Sequence, residues 1–235
     1  MPEAGKVQAS DMLAGDQYAR KDWQARIEGG DETLTRLARA HGQYRSLYQN
    51  VRDAYAQKDP EMTGEAHFMA TRKLGQKSLD RAATASDQAR EFAEAEVKAI
   101  KHTLTANLGL VENHRAGEIR TALRSLSEQE RASVLKAAVE SKDAQTIAAV
   151  IEGPAWLSGV TQEQAKAFGE HFKNKHGGDL PARLKVLEDA IAINRRTATD
   201  ALTYVEALLP SQRARDIEAK QAAARKMREQ LSEAV

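Results

Sequence analysis

Cysteine is absent from the 235 residues, which excludes disulfides and thiolate metal ligands and lets the chain fold in a reducing cytosol as readily as elsewhere. Proline occurs only 5 times and aromatic residues make up 5%, so a large aromatic core is not in prospect. Neither sign of charge prevails: 35 Lys and Arg face 34 Asp and Glu, a formal charge of +1, and no whole-chain field pulls on nucleic acid or an anionic membrane. No run comes near the roughly eighteen apolar residues of a membrane span. The first residues, Met-Pro-Glu-Ala-Gly-Lys, lack the apolar core of a signal peptide, so the chain is expected to be made and used inside a cell.

Signatures of chemistry are missing as well. There is no His-Glu-x-x-His, Gly-x-Ser-x-Gly, Walker loop or Gly-x-Gly-x-x-Gly. The six histidines, His41, His67, His102, His114, His171 and His176, include none with a carboxylate three residues before it, as a di-iron bundle requires. His171 and His176 stand about 140° apart around a helix, a poor geometry for sharing a metal. The chain is read as not an enzyme, with no catalytic residue, cofactor or metal expected.

What is present is alanine, glutamate, lysine, arginine, leucine and glutamine in helical patterns, which predicts an all-α protein more than about 60% helical. Residues 1–30 read as a polar N-terminal arm with scattered apolar groups at Met12, Leu13, Tyr18 and Trp23 and a short helix near 16–28. Gly29-Gly30 and Asp31 then form a hinge and a cap. The stripe Leu34, Leu37, Tyr44, Leu47, Tyr48, Val51 and Tyr55 marks an amphipathic helix over 31–58, ended by Asp59-Pro60. A long helix is expected over 61–126. Its apolar face passes through Leu74, Phe92, Val97, Ile100, Leu104, Leu108, Val111, Ile119, Leu123 and Leu126, with a break or kink between 107 and 117 where Asn107, Gly109, Asn113 and Gly117 weaken it. Residues 179–235 form a returning helix opened by Asp179 and Pro181, interrupted at Pro210, recapped by Ser211 and continued as a charged C-terminal helix. Such a polar helix needs a partner surface.

Residues 127–178 carry most of the local information. Ser127 with Glu130 and Thr161 with Gln164 are capping boxes, and Asp143 can cap a helix between them. Gly153-Pro154 stops that middle helix. The segment is therefore expected to be a small three-helix unit. Trp156 and Leu157 follow the stop, and Phe168 and Phe172 lie on the third helix. These four are the candidate packing or partner residues. The favoured expectation is that Trp156 plugs the corner of the unit's own core; the alternative is a solvent-facing anchor for a partner.

The order Leu126-Ser127-x-x-Glu130-Arg131, an alanine-rich helix, Asp143, an Ala-Val-Ile-x-Gly-Pro run and Trp156-Leu157-Ser158-Gly159 resembles helical proteins of unassigned role encoded among the structural genes of tailed bacteriophages and prophages. The likeness covers residues 123–176 and consists of caps and turns. It implies a structural or assembly protein that packs on itself, as a homo-oligomer, and on capsid, portal or other virion proteins; it does not decide between scaffold, minor virion component and internal protein. The expected architecture is elongated, an antiparallel stalk of long helices bearing the three-helix unit. The alternative is a helical nucleic-acid-binding or regulatory protein using Arg213, Arg215, Lys220, Arg225, Lys226 and Arg228, whose binding would fall steeply with salt.

Overall fold

The computed structural model describes residues 8–111 and 114–233. Of these, 82% are helical, and among the described residues there is no strand. Among the described residues ten α-helices follow one another: α1 (Asp11–Ala14), α2 (Lys21–Glu28), α3 (Glu32–Ala56), α4 (Gly64–Leu108), α5 (Ala116–Ser125), α6 (Glu128–Glu140), α7 (Ala144–Ile151), α8 (Gln162–His176), α9 (Leu180–Leu208) and α10 (Ser211–Glu233), with a 3₁₀ turn at Ala155–Ser158 between α7 and α8. Among the described residues no helix is long and apolar enough to cross a membrane.

The chain divides into two compact units, one of Met1–Ala93 with Asp189–Val235 and one of Glu94–Glu188. Both boundaries fall inside helices, α4 and α9. The expected borders at 126/127 and 178/179 follow changes of local pattern, whereas the units follow where apolar side chains meet.

In the first unit, α3 is set by its ends. Gly30, at φ +89°, lets the Asp31 amide reach back to the Arg26 carbonyl, and the Asp31 carboxylate then accepts the Leu34 amide at 3.0 Å. The predicted stripe is buried at Leu34, Leu37, Tyr44, Leu47, Val51 and Tyr55, joined by His41. Phe68 and Leu79 of α4, Tyr204, Val205 and Leu208 of α9, and Leu209 just past its end complete this core. Gly75 lets α4 approach closely: an added Cβ would stand 3.4 Å from both Leu209 and Val51.

The expected polar arm is a correction. Leu13, Tyr18 and Trp23 are buried, and the Tyr18 hydroxyl donates to the Ala190 carbonyl of α9 at 3.1 Å. Sequence proximity could not show this, because the partner lies far along the chain. At the other end α10 runs beside the start of α4, where Lys220 approaches Glu65 to 3.7 Å. Every α10 residue from Glu218 to Ser232 is exposed.

The long helix expected over 61–126 is two helices, with the break inside the anticipated interval; Asn113 lies outside the described residues. Gly109, at φ +65°, ends α4, and the Leu110 amide returns to the Thr105 carbonyl at 3.0 Å. This turn buries Leu110 and exposes Val111, so Val111 is not on the apolar face as expected. Leu74 and Phe92, 46% and 40% exposed, also leave that face. After the break α5 turns back onto α7 and the 3₁₀ turn. The three-helix unit thus has a fourth member, and Leu104, Leu108 and Leu187 add to its apolar core.

Candidate functional site

The segment Gly153–Gly159 joins α7 to α8, and the three caps around it form as the sequence predicts. Ser127 and Glu130 close their box, the glutamate taking the Ser127 amide at 3.0 Å and its hydroxyl at 2.6 Å. Those two bonds hold the Glu130 carboxyl below the usual carboxylate range. Asp143 caps α7 through the Thr146 amide at 3.1 Å, and Thr161 with Gln164 forms the second box. These bonds fix where α6, α7 and α8 begin.

Two arginines fix the loop itself. Arg131 of α6 directs Nε to the Leu123 carbonyl at 2.9 Å, Nη2 to that of Leu126 at 2.7 Å, and Nη1 to that of Gly159. One fork therefore ties the end of α5 to the far end of the loop. Arg120 of α5 donates from Nε to the Ala149 carbonyl of α7 at 2.7 Å. Both guanidiniums lie flat against glycines. A Cβ on Gly153 would stand 2.5 Å from Arg120 Cζ, and one on Gly159, at φ +74°, 2.8 Å from Arg131 Cζ. The two glycines of the motif are thus footprints of the two arginines.

Within the loop the 3₁₀ turn sets direction. Its residues repeat every three positions, so Ala155 and Ser158 share the inward side, 4% and 0% exposed. Trp156 is carried outward and stands 64% exposed. The favoured expectation for Trp156 is therefore corrected. The apolar corner is filled by Ala155, Val160 and Ala165 against Leu123, Leu135 and Val150, and the arginines take the polar space left over.

The other expected residues separate. Phe172 is wholly buried against α4, α6 and α7 residues, and Phe168 touches both apolar clusters of this unit, so these two are packing residues. Leu157 is half-buried beside the exposed indole. The six basic residues of α10 point around its whole circumference at about 100° per residue. Arg213 lies over the Phe68 ring at 4.4 Å, Arg215 binds Gln212, and Lys220 faces Glu65. Arg225, Lys226 and Arg228 are left on the exposed end. No single basic face results.

Sequence reasoning missed the roles of Arg120 and Arg131; the signal available was the pair of glycines bracketing Pro154 to Ser158. Chemically, the site offers an exposed indole on a loop tied at its ends by two arginines. Among the described residues no group of three or more His, Asp or Glu could hold a metal. The sequence matches no protein-family model, and comparisons with curated proteins and with solved structures likewise find no match.

Proposed function

We propose that this chain is a non-enzymatic structural or assembly protein of a tailed phage or prophage, working in the virion or the host cytoplasm, and that the Trp156 loop is where it docks on a capsid, portal or other virion protein. The observation that carries the docking role is the display of Trp156: an indole 64% exposed on a loop held by Arg120 and Arg131. A displayed aromatic on a rigid support loses little conformational entropy on binding, which is the condition under which tryptophan becomes an interface hot spot of about 2 to 4 kcal/mol. The phage context comes from the resemblance of residues 123–176, whose motif residues form this support.

The experiment is Trp156→Ala. Thermal stability should change by less than about 0.5 kcal/mol, because the side chain fills no core, while incorporation into particles should be lost. A variant that melts well below the parent, or one that is incorporated normally, would refute the docking role.

A further inference from the structure

The outer face of α4 in the first unit carries an ordered pattern that the Trp156 loop does not explain. Leu74, Ser78, Arg81, Ala85, Gln88 and Phe92 recur at alternating steps of four and three, the spacing of a helix-packing seam. Both large apolar members are exposed, Leu74 at 46% and Phe92 at 40%. The Arg36 guanidinium lies over the Phe92 ring at 4.3 Å and is itself bonded by Glu32. Beside the seam an open groove of about 820 Å³ runs between α3 and α4, and Gly42, Ser46 and Ala82 on its walls leave room for a helix to approach.

The seam is self-complementary when reversed. Counting forward from Leu74 and back from Phe92 sets these two opposite each other, then Ser78 opposite Gln88, then Arg81 opposite Ala85. Charge follows the same symmetry. Lys73 and Lys77 flank the Leu74 end and Glu91 flanks the Phe92 end on the same side of the helix. All three are exposed, and none has an ion-pair partner among the described residues. In a parallel pair these edges would fall on opposite sides of the seam, so no lysine would meet a glutamate. In an antiparallel pair each Lys77 meets the Glu91 of the other copy.

We infer that this face of α4 is the self-association surface of the protein, joining two copies antiparallel about a twofold axis near Ala83. Such a pairing is isologous and closes on itself. The interface has two apolar contacts, Leu74 with Phe92 of the other copy and the reverse, bordered by two copies of the Lys77–Glu91 ion pair. The rims are solvent-exposed, so the dimer weakens as salt rises. This surface is independent of the phage reading and of the Trp156 loop, and loss of one leaves the other testable.

The test is sedimentation of the full-length protein with charge-reversed variants, all at exposed positions where folding is not at stake. Wild-type protein should dimerise at concentrations up to about 100 µM, the range for a small interface. K77E and E91K should each weaken the dimer at least about tenfold by placing like charges opposite each other twice. K77E/E91K together should restore it, since reversal at both positions rebuilds both pairs. Orientation is read by mixing two single-cysteine proteins, possible because the chain has no cysteine of its own: L74C with F92C should form the mixed disulfide in preference to either homodimer. A wild-type monomer throughout this range, a double variant as weak as the singles, or preferential joining of L74C to itself would each overturn the inference.

Discussion

Arg131 directs three N–H groups at carbonyl oxygens, two near the end of α5 and one at Gly159, so a single side chain satisfies acceptors that a helix end and a loop leave open. Arg131→Ala should therefore cost about 2 to 3 kcal/mol, the effect of removing charged donors from half-buried acceptors, and a denaturant midpoint measurement checks it. Arg131→Lys should recover little of this, because one ammonium cannot reproduce the fork. His41 in the first unit is a second residue-scale case. It is buried; its Nδ1 is 3.2 Å from Thr197 Oγ1, whose own proton goes to the Ile193 carbonyl, and its Nε2 faces the Gln17 amide at 3.4 Å and the Gly15 carbonyl at 3.3 Å. The neutral ring protonated at Nδ1 suits this arrangement. Burial lowers the pKa; the Gly15 carbonyl and Asp16 oppose that shift, and Arg45 adds to it. A depressed folded-state pKa means stability that is full above the unfolded value of about 6.5 and is lost as pH falls through the lower folded value. The wild-type melting temperature should drop as pH is lowered from about 6.5 towards 5, and the slope should be shallower in His41→Gln; equal slopes would show that other groups govern this range.

At the scale of elements, helix starts were legible from sequence and side-chain directions were not. Asp31, Ser127, Asp143 and Thr161 all cap the helices expected of them, because a cap is a bond to an amide two or three residues on and needs nothing distant. The break near Gly109 was legible for the same reason. The orientation of Trp156 was not: it depends on the three-residue period of a 3₁₀ turn and on arginines from α5 and α6 occupying the space beneath. Burial of Tyr18 was equally hidden, since its partners Ala190 and Asn194 come from α9. The α6–α7 turn offers an element-scale prediction. Its helix end closes with the Asp143 amide on the Ala138 carbonyl at 2.9 Å, and the left-handed position is filled by Lys142 at φ +60°. A side chain there is strained where glycine is not, so Lys142→Gly should stabilise the protein by about 1 kcal/mol, partly offset by the freer unfolded chain. An unchanged or lowered melting temperature would mean that lysine relieves the strain by a contact of its own.

At the scale of the molecule, the division into two units yields a prediction about independence. The second unit is continuous in sequence from Glu94 to Glu188, whereas the first is assembled from two separate stretches. Its two apolar clusters draw on residues from Val97 to Leu187, and its polar ties, Arg183 to Glu96 at 2.9 Å, His176 to the Val139 carbonyl at 2.6 Å and both arginine clamps, also stay inside it. A segment that owns its core and satisfies its own helix ends meets the physical conditions for folding alone. Residues 94–188 expressed as a fragment should thus be helical and melt cooperatively, with the truncated ends of α4 and α9 frayed. Carrying Arg131→Ala into the fragment should lower its melting point, and carrying Trp156→Ala should not. Calorimetry with circular dichroism reads both. A fragment without a cooperative transition would show that the core around Leu104 and Leu187 depends on the parts of α4 and α9 beyond the boundary, and the two units would then have to be treated as one cooperative structure.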